Sequence, residues 1–345
     1  MTPKRFTVLL TNDDGPPGPE SPYIFGLYKY LSRTLGWDVR VVIPSSQKSW
    51  IGKAYQIKDI ILGRFYYPRD PDGLGETSDS SRALKEGEIG EWILLDGTPA
   101  TCANIALHNL YPGEIDLLLS GPNFGRNTSS AFALSSGTLG AALSSALSQT
   151  RSIALSYGTV GLPTPQTLFD PAHTLSAKII RYLWDNWGND EGGLRRGEID
   201  FYSVNIPMIH GLLNEGLPII WTRVWRNTYH RLFKPYSPKQ SAGLEVAGSQ
   251  AGPDSMTAAS APTPLQAQVD ITSKKIGSLL FKFSPDMKHF INHPPSSLPE
   301  GSDSWAIENG YVSVTPMRAS FGEPPAENLF TPGAAIQDRI WRIKL

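Results

Sequence analysis

Apolar and polar positions follow two rhythms along the first half of the chain. Short apolar runs at 6–10, 39–43, 115–119 and 151–156 have the length and β-branched content of strands buried on both faces. Between them, apolar residues recur at helical spacing over 22–35, where Ile24, Leu27, Tyr28, Leu31 and Leu35 share a face. Helices are also predicted over 99–110, 137–147 and 171–187. The first of these has Thr98 placed to cap it and Pro99 at its first position. Pro44 closes the second strand, because proline cannot continue a central ladder. Strands alternating with helices predict an α/β fold, with a mostly parallel sheet and helices on both faces.

The second half is less regular. Segments 199–206, 218–229 and 276–283 have strand character. Between the last two, 238–264 is rich in Ser, Ala, Gly, Pro and Gln. Such a composition buries too little apolar surface to offset its ordering entropy, so it is expected to be a disordered insertion at a hairpin tip. Segment 68–85, dense in Asp, Ser, Gly and Pro, is expected to be a surface excursion of the same kind. The end of the chain carries Pro324, Pro325 and Pro332, then an amphipathic stretch with Ile340, Trp341 and Ile343. The organisation expected is an α/β core over 1–230, an insertion over 231–275, completion of the domain over 276–318, and a tail over 319–345.

Composition narrows the partners. The 345 residues are 40% hydrophobic, enough for a sizeable core, and 18% charged with a net charge of −1. No basic field argues for a nucleic-acid duplex. No apolar stretch approaches membrane-spanning length. Lys4 and Arg5 precede only a short apolar run, unlike a secretory signal. Cys102, the one cysteine, excludes an intrachain disulfide and suits a reducing compartment. A cytoplasmic location is expected, with Cys102 buried in its helix as a small apolar residue.

Chemistry concentrates where strands end. Strand Thr7–Leu10 delivers Asp13 and Asp14, followed by Gly15, to the carboxyl edge of the sheet, where open α/β folds bind ligands. Asn12-Asp13-Asp14-Gly15 is also ordinary turn chemistry. Three more segments fall on the same edge: 44–49, 120–127, and Ser135-Ser136-Gly137-Thr138 at a helix start. Asp13 and Asp14 offer anionic oxygens, and Ser49 and Asn123 neutral ones, a set suited to Mg²⁺, Mn²⁺ or Ca²⁺ rather than zinc. Ser136, Gly137 and Thr138 offer hydroxyls and free amides to an anion such as phosphate. Lys48, Lys53 and Arg126 are candidates to screen its charge. A hard cation beside an anion pocket is what metal-assisted phosphoryl transfer requires.

Thr11-Asn12-Asp13-Asp14-Gly15 resembles the signature of the SurE family of metal-dependent nucleotidases and acid phosphatases. Ser120-Gly121-Pro122-Asn123, with Gly125 and Asn127, resembles that family's Ser-Gly-x-Asn-x-Gly-x-Asn loop. Gly97-Thr98-Pro99, Ser136-Gly137-Thr138, Val204-Asn205-Ile206-Pro207 and the segment from Gly310 to Pro316 resemble further family blocks. The resemblance implies a three-layer α/β/α Rossmann-like fold with a C-terminal β-hairpin extension. It implies a divalent cation, magnesium or manganese, held by Asp13, Asp14, Ser49 and Asn123, and a phosphate pocket lined by Asn127, Ser136, Gly137 and Thr138. The expected catalytic residues are Asp13, Asp14 and Asn127, an aspartate serving as general base toward water or as covalent nucleophile. The expected activity is phosphate release from nucleoside monophosphates by a homodimer or higher homo-oligomer. A broad acid phosphatase or polyphosphatase, or a phosphate-ligand binder without turnover, is the alternative.

The chain departs from the bacterial pattern, and in doing so is similar to a eukaryotic, fungal branch. Ser49 is followed by Trp50 instead of glycine, and Thr128-Ser129-Ser130-Ala131 replaces Leu-Gly-Asp-Asp. Thr101 stands where an acid is expected, and Ser144-Ser145 where Glu-Gly is common. His289 and His293 have the spacing of helical metal ligands, but Pro294 and Pro295 follow and no third ligand is evident, so no site is expected there. Trp221, Trp225, Trp305 and Trp341 are expected to bury hairpin and interface surface.

Overall fold

The computed structural model describes residues 5–159, 163–214, 216–228, 231–235, 279–285, 293 and 295–323. Its strands are β1 (Thr7–Thr11), β2 (Asp38–Pro44), β3 (Gly63–Pro68), β4 (Gly75–Ser78), β5 (Trp92–Leu95), β6 (Leu117–Phe124), β7 (Arg151–Gly158), β8 (Phe201–Pro207), β9 (Ile219–Trp221), β10 (Phe233–Pro235), β11 (Phe281–Phe283) and β12 (Val312–Met317). All but β10 and β11 form one sheet, in the order β4-β3-β5-β2-β1-β6-β7-β8-β12-β9. From β5 to β8 every neighbour is parallel, so these strands end on one edge.

Alternate residues of the central strands enter different cores. Val8, Leu10, Val41, Ile43, Leu117, Leu119, Ile153 and Leu155 join one cluster. Leu9, Val42 and Leu118, one residue out of phase, join another. That period of two explains why the runs are apolar throughout rather than alternating. Helices α1 (Ile24–Lys29) and α5 (Phe169–Asp185) cover the first face through Ile24, Leu27, Ile180 and Leu183. Helices α2 (Pro99–Ile105) and α4 (Gly137–Leu147) cover the second through Cys102, Ala103 and Ala141. The three layers and mostly parallel sheet agree with the sequence reading.

Boundaries shift in instructive ways. Helices α1 and α2 each continue as a π-helical turn, Tyr30–Thr34 and Ala106–Leu110, so the helical spacing extends as far as predicted. Thr98 accepts from Thr101 N at 3.1 Å, the expected cap. Segment 68–85 is not loop throughout: Gly75–Ser78 pairs antiparallel with β3, and β3 with β5. The largely exposed edge strand needs no apolar alternation, so its sequence carries no strand signal. The strand expected over 218–229 stops after Trp221. Beyond it, Arg223 N donates to Gly301 O and Trp225 N to Asp303, which takes the backbone out of the ladder.

A hairpin is present, but its first strand is not the expected 218–229, whose β9 joins the main sheet beside β12: β10 and β11 pair antiparallel, Phe233 opposite Phe283. Segment 238–264, expected as an insertion, and His289 lie outside the described residues, as do residues beyond 323. The ring of His293 packs edge-on against Trp225 at 4.5 Å. No helix among the described residues is long and apolar enough to cross a membrane.

Candidate active site

Three loops and one helix start converge at the carboxyl edge of the sheet. Asn12 closes the turn after β1: its Nδ2 donates to Gly15 O at 2.8 Å, and its Oδ1 accepts from Gly15 N at 3.1 Å. The turn fixes Asp13 and Asp14 between strand and loop. Lys48 N donates to Asp13 O at 2.7 Å, which ties the loop after β2 to the same place. In β6 the register shifts between Ser120 and Asn123, a bulge that re-aims the strand's end. Gly121 has φ +124°, and a Cβ there would lie 2.1 Å from Leu155 O, so the bulge requires glycine. Asn123 Nδ2 donates to Gly125 O at 2.9 Å, leaving its Oδ1 outside that bond.

A cavity of about 20 Å³ lies between these loops, lined by Asp13, Ser49, Trp50, Asn123, Asn127, Phe132, Ser135 and Ser136. It has room for about one water or one ion. Asp13 is the single ionisable residue in the lining and is 3% exposed. Burial raises its pKa, against the opposing pull of the Thr138 hydroxyl and the amides of Thr138 and Gly137. Thr138 Oγ1 donates to Asp13 Oδ1 at 2.6 Å. Helix α4 thus starts directly on this carboxylate, with its first amides and dipole favouring the anion. Gly137 permits that approach, since a Cβ would sit 2.8 Å from Asp13 Cβ and 2.9 Å from its Oδ2.

The other predicted residues fall into distinct places. Asp14 accepts from Phe124 N at 2.8 Å through Oδ2, which couples the β1 turn to the end of β6. Ser136 caps α4, accepting from Leu139 N at 3.1 Å. Asn127 is held twice: its N donates to Asn205 Oδ1 at 2.7 Å, and its Nδ2 to Ser156 Oγ at 2.9 Å. The three basic candidates are absent from the cavity lining. Arg126 is buried and forms an ion pair with Glu308, which consumes the charge that was expected to screen phosphate. Lys53 Nζ lies over the Tyr55 ring at 4.6 Å.

The donor chemistry fits a hard divalent cation. Ser49 Oγ is buried and has no hydrogen-bond partner among the described residues, a cost that a bound cation would offset. A carboxylate, a serine hydroxyl and amide oxygens are the ligands that magnesium or manganese accepts. Among the described residues no group of three His, Cys, Asp or Glu side chains is placed to hold a metal.

Sequence reading missed the supports behind the cavity. Ser156 and Asn205, both buried, stand near the ends of β7 and β8 and hold Asn127. Their signal was a polar residue inside an apolar strand. Asp303, at the start of α6 (Asp303–Glu308), accepts from Ser129 N, Trp225 N and Ser304 N at 2.8, 2.9 and 2.7 Å. Burial raises its pKa to about 6 despite those donors. Nothing near either residue in the chain announces a contact between positions 129 and 303.

Comparison with known proteins gives consistent matches. A family model described as Survival protein SurE matches residues 8–231. The chain is 32% identical over 343 residues to the probable tubulin–tyrosine ligase PBY1 of Saccharomyces cerevisiae, covering 91% of this chain and 41% of that protein. It is 30% identical over 202 residues to the 5′-nucleotidase SurE of Campylobacter concisus, covering 58% of this chain and 66% of that protein. With the 5′-nucleotidase SurE of Ruegeria pomeroyi it shares 27% identity over 317 residues, 90% of this chain and 94% of the other. The chain therefore spans about two-fifths of the yeast relative's length but nearly all of the Ruegeria protein's. A crystal structure of the SurE protein from Aquifex aeolicus superposes with a TM-score of 0.55 at 22% identity, over 92% of this chain and 94% of that one. That likeness bears on the fold alone.

Proposed function

This chain belongs to the SurE family, and on that premise we propose that it is a divalent-metal-dependent phosphomonoesterase acting on nucleoside monophosphates. The observation that carries the reading is the small cavity on which Asp13, Ser49, Asn123, Asn127 and Ser136 converge. Two relatives named as 5′-nucleotidases support the same class of activity. The ligase named for the yeast relative belongs to a chain of which 41% is matched, and no feature of this cavity favours it.

Asp13, Asp14, Ser49 and Asn123 would hold the cation. When bound, it supplies Lewis-acid polarisation of the phosphoryl group. The chain's own residues do the rest. Thr138 locks the rotamer of Asp13 through its hydroxyl, and Asn127, fixed by Ser156 and Asn205, presents a preorganised group to a non-bridging oxygen. Ser136 and the first turn of α4 add dipole toward the same oxygens. Trp50 and Phe132 supply the apolar part of the wall. An aspartate from the β1 turn accepts a proton from the water that attacks phosphorus, or attacks phosphorus itself to give an aspartyl phosphate that water then hydrolyses. Either way the P–O bond to the nucleoside breaks and the leaving oxygen takes a proton from solvent, and trapping of an acid-labile phosphoenzyme would select the second route. Assembly as a homodimer or higher oligomer belongs to the same proposal, and light scattering in solution checks it.

The test is phosphate release from a panel of nucleoside monophosphates, with Mg²⁺, with Mn²⁺ and with chelator. Release that requires either metal is expected. No release by folded protein with both metals would overturn the proposal, and release from tripolyphosphate alone would move the substrate to polyphosphate.

A further inference from the structure

Resting on the phosphatase reading above, we propose that Trp50 is a specificity-determining residue whose indole stacks on the planar part of the leaving group, a nucleobase or an aryl ring. A cavity of about 20 Å³ has no room for a sugar or an aromatic ring, so the organic part of any ester bound there lies outside, against the rim. The lining is polar except at Trp50 and Phe132. Any apolar contact offered to a leaving group therefore comes from that side.

Trp50 is built to stay in place. Its backbone has φ +61°, an uncommon conformation for a bulky residue and one that costs energy unless its surroundings hold it. They do: Gly52 N donates to Ser135 O at 2.8 Å, and Gly52 O packs so closely on α4 that a Cβ at Gly140 would lie 2.4 Å from it. The indole makes edge-to-face contacts with Phe132, at 5.7 Å, and with Phe283 of β11, at 5.2 Å. It is nevertheless only half-buried and lines the cavity, so part of its surface faces the site. A ring immobilised before binding meets a planar partner with little further loss of entropy. Ser49, whose buried hydroxyl has no partner among the described residues, is the preceding residue, so the indole is fixed beside the phosphoryl end of the substrate. Stacking of this kind favours every base, since each has a π-face. The proposal accordingly predicts discrimination between aromatic and aliphatic esters, with little preference among bases.

The experiment compares the full chain with Trp50→Leu and Trp50→Phe on adenosine monophosphate, p-nitrophenyl phosphate and glycerol phosphate, each with Mn²⁺. Trp50→Leu should lower kcat/KM on the two aromatic esters by on the order of tenfold, mostly through KM. Its loss on glycerol phosphate should be at least fivefold smaller, and Trp50→Phe should recover most of the difference. Loss confined to the nucleotide assigns the indole to a base, and loss on both aromatic esters assigns it to planar rings in general. Equal losses on all three substrates, or none on any, would overturn the proposal. If the wild-type chain hydrolyses none of them, the phosphatase reading fails, and equilibrium dialysis with Mn²⁺ decides the stacking. Tighter binding of adenosine monophosphate by wild type than by Trp50→Leu supports it, and equal binding overturns it.

Discussion

Replacing Gly137 with alanine separates fold stability from site geometry. The added methyl would lie 2.8 Å from Asp13 Cβ, 2.9 Å from Oδ2 and 3.1 Å from Ile51 Cγ2. The first of these falls short of an ordinary 3.4 Å contact by about 0.6 Å. Asp13 is buried and anchored by Thr138, and its main chain is tied to Lys48, so it cannot swing aside cheaply. Overpacking of this kind costs about 1–3 kcal/mol. Opposing it, alanine gains up to about 1 kcal/mol over glycine inside a helix, and Gly137 opens α4. Net destabilisation of about 0–3 kcal/mol follows, measurable by urea unfolding. Activity should fall much further, by about 100-fold, because displacements of that size at a reacting group are costly far beyond their strain. Metal-dependent phosphate release within threefold of wild type, by a variant of near-native stability, would refute the claim that α4 seats Asp13.

Thr138→Val removes the hydroxyl that donates to Asp13 while keeping its shape. The expected cost is about 1.5–3 kcal/mol in unfolding free energy, together with weaker binding of Mn²⁺ by calorimetry. Asp303, with its pKa raised to about 6, binds a proton in the folded state at pH values where the unfolded chain has already lost it. Its contribution to stability is therefore complete below about pH 4 and is lost as pH rises through 6, by up to about 3 kcal/mol. Urea unfolding between pH 4 and 7 should show this slope in wild type but not in Asp303→Asn; identical slopes would contradict it.

What the sequence made legible was local. The β1 strand and its two aspartates were readable because a doubly buried strand is apolar throughout and stops abruptly at charge. Thr98 and Pro99 announced a helix start, and the structure has the cap. That the segments holding Asp13, Ser49, Asn123 and Asn127 share one edge was legible from the alternation of strands and helices, since parallel strands end on one edge. What failed to show was long-range or exposed. Gly75–Ser78 is an edge strand without alternation, and the residues after Trp221 bond to loops near 301–303 that no local pattern reveals. Arg126 looked free to meet an anion because its partner, Glu308, lies 182 residues away. Asn205 was visible as part of a motif, but its bond to Asn127 was not.

The most direct test of the account is Asp13→Asn, examined for Mn²⁺ binding by calorimetry and for phosphate release from adenosine monophosphate. The change keeps an acceptor for Thr138 and removes a buried charge that its surroundings penalise, so the variant should unfold no more readily than wild type. The account predicts that it loses both metal binding and release. A folded Asp13→Asn variant that still binds Mn²⁺ and releases phosphate at the wild-type rate would contradict it.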